Sequence, residues 1–211
     1  MAKIKKPKHI AVAGNIGAGK TTLTKMLSKH YKWIPQFEDA DHNPYLMDFY
    51  EDMPRWSFNL QIYFLNKRLN QLLDIQRGTE TVIQDRTIYE DATIFAPNLH
   101  DMGLMLKRDF ENYYTFFQTL KSMIQPPDLL VYLKASVPTL VAQIQKRGRE
   151  YEDNIRLDYL KKLNDYYSLF ADNYKEGPIL IIDCDRNKFA NNEEHFGEII
   201  SKIDATLFGL F

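Results

Sequence analysis

Gly14-Asn15-Ile16-Gly17-Ala18-Gly19-Lys20-Thr21, followed by Thr22, is the stretch that decides the fold. It fits G-x-x-x-x-G-K-[ST] in full, and its setting fits too: His9-Ile10-Ala11-Val12-Ala13 reads as a strand before it, and Lys20 to Tyr31 as a helix after it. Glycines let the backbone curl so that successive N–H groups face phosphate oxygens. The start of the following helix adds a favourable dipole. In such a loop Lys20 reaches the β- and γ-phosphates, and the Thr21 hydroxyl is a Mg²⁺ ligand. Residues 14–22 are therefore expected to hold ATP, with Mg²⁺ beside it.

Outward from this loop, short apolar runs alternate with long helical ones, the pattern of a parallel α/β sheet. Trp33 to Phe37 reads as a second strand. Pro54 suits the first turn of a helix. That helix runs to about Gln76, with Phe58, Ile62, Leu65, Leu69, Leu72 and Leu73 at helical spacing and Gly78 as its stop. Thr81 to Gln84 is a third strand, ending at Asp85-Arg86. A helical stretch from about Leu104 to Ile124 ends at Pro126-Pro127. Leu129 to Leu133 is a fourth strand, and Pro138 opens a helix to about Lys146. Further helices are expected over Leu157–Tyr174 and Asn192–Leu207, with a fifth strand, Ile179–Ile182, between them. The apolar strands read as buried on both faces. The expectation is an α/β fold over 1–211 as one domain: five parallel strands, helices on both faces, and a lid at about 143–153.

Composition excludes several classes. The 211 residues are 45% hydrophobic and 26% charged, with a formal net charge of -1, so no global positive field points to nucleic acid. The basic start Lys3–Lys8 reads as a solvated end. The single cysteine, Cys184, forbids an internal disulfide and reads as packing at a strand end. No apolar run approaches the roughly 18 residues of a membrane span, and no signal peptide is visible, so a cytoplasmic location is expected.

A glycine loop does not say what accepts the phosphate. A guanine-reading N-K-x-D is missing: Asn187-Lys188-Phe189-Ala190 lacks the carboxylate. A kinase acting on a neutral alcohol needs a carboxylate to take the hydroxyl proton. Such sites lie beyond the carboxyl ends of the strands. Glu38, which opens the run Glu38-Asp39-Ala40-Asp41, follows the second strand, and Asp85 ends the third. Asp85 can stand near Mg²⁺ and Arg86 near the phosphates. Arg147-Gly148-Arg149 has the character of a mobile lid whose arginines close over the transferring group.

In this order and at these spacings the pieces resemble the deoxynucleoside kinase family, from His9 to about Tyr174. The residues that carry the resemblance are the Gly14–Thr21 loop, Glu38, Tyr50, Arg55-Trp56-Ser57-Phe58 with Gln61, Asp85-Arg86-Thr87 with Tyr89 and Asp91, and Arg147-Gly148-Arg149 with Glu152. The resemblance implies a general base at Glu38 for the sugar 5′-hydroxyl, and Arg86 stabilising charge there. It implies Tyr50 and Glu152 on the 3′-hydroxyl and Gln61 on the base. One ring of Phe110–Phe117 could stack on that base, while core packing is the expected fate of most of them. Arg68, two helical turns past Gln61, and Asp91 form a charged pair that resembles the purine and deoxycytidine members and suits thymine poorly.

Two departures stand out. Gln143 occupies the place of a further lid arginine, with Lys146 nearby, and Asn43-Pro44-Tyr45 is closer to bacterial than to animal members. The expected activity is 5′-phosphorylation of deoxyadenosine, deoxyguanosine or deoxycytidine by ATP. The competing readings are a thymidylate-type nucleotide kinase and an ATP-binding regulatory subunit. Family habit implies a homodimer, with a heterodimer as the variant.

Overall fold

The computed structural model describes residues 9–38, 42–152 and 154–209. The basic start Lys3–Lys8, the acids Asp39 and Asp41 and lid position 153 lie outside the described residues. Five strands form one all-parallel sheet in the order β2-β3-β1-β4-β5, with β1 His9–Gly14, β2 Ile34–Gln36, β3 Val82–Asp85, β4 Leu129–Lys134 and β5 Ile179–Asp183. Successive side chains of a strand point to opposite faces. Every position of β1 and β3, and all of β4 but Lys134, is buried, so the central strands are covered on both faces.

The edges depart from that expectation. In β2, Ile34 and Pro35 are exposed, and in β5 Ile181 is 46% exposed. An edge strand has a neighbour on one side only, and its short flanks leave part of each face to water.

The helix α1, Lys20–Tyr31, has the expected bounds. It begins at Gly19, with φ 94°, and stops at Lys32 in the left-handed region. Then come α2 Leu46–Glu51 and α3 Met53–Arg77; the Asp52 side chain caps α3 by accepting from the Arg55 N–H at 3.2 Å. After β3, the Thr87–Glu90 capping box starts α4, Ile88–Glu90, which runs through a π-helical turn, Asp91–Phe95, into α5, Ala96–Asp101. The remaining helices are α6 Lys107–Lys121, α7 Val137–Arg147, α8 Leu157–Asn173 and α9 Glu193–Phe208. Gly78 does end α3, in extended backbone rather than a left-handed turn. No helix among the described residues is long and apolar enough to cross a membrane.

One buried carboxylate ties the glycine loop to this frame. Glu90 is fully buried. It accepts from the Gly14 N–H at 3.2 Å, the Tyr167 hydroxyl of α8 at 2.8 Å and the Thr87 N–H at 2.7 Å. Burial holds its carboxyl above the usual range, against the pull of Arg86 and Lys20. Glu90→Ala strands four buried donors, these three and the Thr87 hydroxyl. It is expected to lower stability by about 3 kcal/mol, read by urea unfolding followed through Trp33 and Trp56 fluorescence.

Candidate active site

The carboxyl ends of β1, β2 and β3 deliver the glycine loop, Glu38 and Asp85-Arg86 to one cavity of about 580 Å³. The glycines are required by shape. Gly17 has φ 85°, and a Cβ there would lie 2.8 Å from the Leu140 carbonyl oxygen. Asn15 fastens the loop to α8: its side-chain amide donates to the Leu160 carbonyl at 3.3 Å and to Asn164 Oδ1 at 3.2 Å. Lys20 Nζ donates to the Gly14 and Asn15 carbonyls at 2.8 and 3.1 Å. Burial first, and then the nearby Arg86, lowers its pKa to about 8.

Thr21 Oγ1 donates to Asp85 Oδ2 at 2.6 Å, while Asp85 Oδ1 is buried and makes no hydrogen bond among the described residues. A hydroxyl and an unsatisfied carboxylate oxygen beside a phosphate loop are a donor set that fits Mg²⁺.

Glu38 is the centre of the charge network. Arg68 Nη2 and Arg86 Nη1 each lie 3.1 Å from the same oxygen, Oε1. Burial raises the Glu38 pKa, but Arg86, Arg68, Lys20 and Arg149 more than offset it and hold the carboxyl below its usual range. Arg86 adopts φ 69°, a left-handed conformation uncommon for a side chain of its size. Its N–H continues the ladder onto the Val12 carbonyl at 2.9 Å, and its guanidinium lies 4.3 Å from the centre of the Phe95 ring. On the other side of Arg68, Asp91 Oδ2 lies 3.5 Å from Nε. Asp91 is fully buried, and burial outweighs the arginines, pushing its carboxyl up to about 7.

The sequence-derived candidates are brought together. Glu38, Tyr50, Gln61, Arg86 and Glu152 line the cavity with the glycine loop, as do Arg147 and Arg149. Arg68 and Asp91 stand behind it and reach it through Glu38. Gln61 is buried with an unsatisfied Oε1. Arg147 and Arg149 both pair with Glu152; the Arg147 Nε to Glu152 Oε2 distance is 2.9 Å. Gln143 and Lys146 also face the cavity.

Most rings of residues 110–117 take the core role expected of them. None of residues 110–117 lines the cavity; Tyr113 and Phe117 pack instead in a second core with Leu65 and Leu72, and Phe110 stacks on His100 at 4.7 Å. The rings that do line it are Phe49, Tyr50, Phe64, Phe95 and Tyr159. The Asn187–Ala190 stretch, set aside as a failed guanine motif, comes to the glycine loop: Ala190, with Asn191 after it, lines the cavity, and a Cβ on Gly19 would lie 3.4 Å from the Phe189 ring. Nothing in its composition distinguished it from an ordinary strand-end loop.

The fold and this site define a P-loop kinase. The sequence profile of the family described as deoxynucleoside kinase matches residues 10–208. The chain is 35% identical over 206 residues to a Bacillus subtilis deoxyadenosine/deoxycytidine kinase, covering 97% of this chain and 95% of the relative. It is 38% identical to a Lactobacillus johnsonii deoxyguanosine kinase, covering 94% and 92%. The structure of a deoxyadenosine kinase from M. mycoides with bound dATP superposes with a TM-score of 0.83 at 29% identity, covering 93% of this chain and 99% of that one. The chain belongs to the deoxynucleoside kinase family, and it is an enzyme that phosphorylates deoxynucleosides.

Lys20 must be charged to hold phosphate, and it loses its proton as pH rises through about 8. The kcat/KM for ATP, which reports groups of the free enzyme, is expected to fall above that pH. The residual activity of Lys20→Arg, whose guanidinium keeps its proton, should show no such limb in a pH–rate series.

Proposed function

We propose that the chain transfers the γ-phosphoryl group of ATP to the 5′-hydroxyl of deoxyadenosine, deoxyguanosine or deoxycytidine, with Glu38 as the general base. One observation carries this reading: Glu38 lines the same cavity as the glycine loop, with one oxygen pinned by two buried arginines. Both guanidiniums pair with Oε1 at 3.1 Å, and Oε2 is the oxygen assigned to the substrate proton. The hydroxyl oxygen bonds to the γ-phosphorus as the bond to the β-bridging oxygen breaks, and ADP leaves. The hydroxyl proton goes to Glu38. Lys20 and Arg86 face the developing charge.

Thr21 and Asp85 would hold Mg²⁺, which supplies charge neutralisation at the β- and γ-phosphates. Tyr50 and Glu152 are assigned to the 3′-hydroxyl, and Gln61, with its unsatisfied amide oxygen, to the base. Residues 143–153 act as the lid, with Arg147 and Arg149 moving from Glu152 toward the phosphates. The enzyme works in the cytoplasm as a dimer; exposed Phe116 and Met123, in and just after α6, are consistent with a covered face.

A nucleotide kinase would need a free arginine to clamp a substrate phosphate. Arg68 and Arg86 are both engaged by Glu38, which disfavours that reading. The preference against thymidine is assigned to the charged Arg68–Asp91 pair, which stands behind the cavity and reaches it through Glu38.

Glu38→Gln is expected to cut kcat about a hundredfold or more while leaving the KM for ATP unchanged; retention of turnover would overturn the base assignment. Across the four deoxynucleosides, kcat/KM should be lowest for thymidine in a coupled ADP-release assay, and a thymidine preference would overturn the specificity reading.

A further inference from the structure

Glu38 follows β2, a strand of three residues at the edge of the sheet, which by itself is a weak anchor for a base that must hold its position. A half-buried amide behind it supplies the missing support. Gln71 lies on α3, one turn past Arg68. Its Nε2 donates to the carbonyl of Phe37, the residue before Glu38, at 3.3 Å. Its Oε1 accepts from Arg68 Nη1 at 3.1 Å and from Gln84 Nε2 at 3.0 Å. Arg68 in turn reaches Glu38 Oε1 at 3.1 Å. Gln84 is fully buried in β3, and its own Oε1 lies 3.0 Å from His9 Nε2; the His9 N–H donates to Asp128 Oδ2 at 3.0 Å.

An unbroken polar chain thus runs from the far end of β1 to the carboxylate. Gln71 is the link at which backbone, arginine and sheet meet. Its oxygen accepts two hydrogen bonds, the number an amide oxygen has lone pairs for, and its nitrogen still donates to backbone.

We propose that Gln71 is a positioning residue for the base: it fixes both the main chain that carries Glu38 and the guanidinium that pairs with it. The inference rests on the reading of Glu38 as base. Gln71 touches neither substrate nor phosphate; it acts through Arg68 and the Phe37 carbonyl.

The charged groups around Glu38 are Lys20 from α1, Arg68 from α3, Arg86 after β3 and Arg149 after α7, with Asp91 of the π-helical turn on the far side of Arg68. Glu38 must be ionised to take a proton, and these cations hold it so. If Arg68 loses its seat, the Glu38 pKa rises, and activity is lost sooner as pH falls.

Gln71→Met fills similar space without the three hydrogen bonds. It is expected to lower kcat about tenfold or more and to move the acid limb of kcat/KM for the deoxynucleoside up by about one pH unit, with the KM for ATP unchanged. Should Gln71→Met fail to fold, Gln71→Glu serves. That variant keeps acceptors for Arg68 and Gln84, loses the donor to Phe37 and adds a carboxylate that draws Arg68 from Glu38, so the limb should again move up. An acid limb that stays in place in a folded variant, even with a lower melting temperature or lower kcat, overturns the proposal and leaves Gln71 as packing. Glu38→Gln in the same series separates the two ideas. If it is inactive while the Gln71 variants keep the parent limb and kcat, only the positioning role fails. If it keeps its turnover, the base assignment fails and this inference with it.

Discussion

Two buried guanidiniums meeting on one oxygen of Glu38 are the constraint around which the rest of this fold is arranged. A buried ion left unpaired costs several kcal/mol, so each charge at the carboxyl ends of the strands must find a partner inside the protein or on the substrate. Arg68 is held between Glu38 and Asp91, Arg86 between Glu38 and the face of Phe95, and Glu90 among four donors that include the first N–H of the glycine loop. Asp85 Oδ1 and Gln61 Oε1 are buried, make no hydrogen bond among the described residues and belong to residues that line the cavity, as does Arg86 Nε. Unsatisfied atoms at a site of this kind are where a ligand completes the pairing.

Much of the frame was legible in the sequence because its signals are local. The glycine loop fixed where β1 ends and α1 begins, and the bounds of α1 fell where the motif and the periodicity placed them. The five strands and their parallel direction, though not their order in the sheet, followed from apolar runs separated by long helices. Less legible was everything decided by neighbours. The edge strands carry apolar sequence yet stay partly exposed, because exposure depends on position in the sheet and not on composition. The stretch from Ile88 to Asp101 folds as helix through a π-helical turn with Pro97 near the start of its last segment, a combination with no clear periodic signature. The long helix expected over Leu104–Ile124 is shorter at both ends, Lys107–Lys121.

The charged and polar residues of the site were readable because each has a chemical reason to stand near phosphate or sugar. The rings were not. Phe49, Phe64 and Phe95 occupy amphipathic helical segments, where a ring facing a cavity and a ring facing the core have the same spacing. The π-helical turn adds a residue to the register, bringing Asp91 and Phe95 to opposite sides of the arginine pair: Asp91 against Arg68, Phe95 against Arg86. Gln71 escaped notice for a related reason. A glutamine on a long helix reads as a solvent-facing position, and only the tertiary fold turns it toward Arg68, Gln84 and the Phe37 carbonyl.

The shared use of Arg68 sets how the site can vary. In the proposed reaction Arg68 pairs with Asp91 on one side and with the proton-accepting carboxylate of Glu38 on the other, so the selectivity assigned to the Arg68–Asp91 pair and the ionisation of Glu38 are coupled through one guanidinium. An apolar side chain at that position would open room for a thymine methyl. It would also remove one of the two cations on Glu38 and leave the fully buried Asp91 without its nearest counter-charge. Selectivity cannot therefore be altered at position 68 alone at little cost. Asp91 would have to become neutral in the same step, and Arg86 would have to hold Glu38 without help. Gln61 has no such double duty: its amide oxygen is unsatisfied, and no hydrogen bond among the described residues ties it to Glu38. Discrimination among bases that leave the arginine pair intact is thus free to change at Gln61, whereas any change that involves Arg68 must reorganise the catalytic charge network as well.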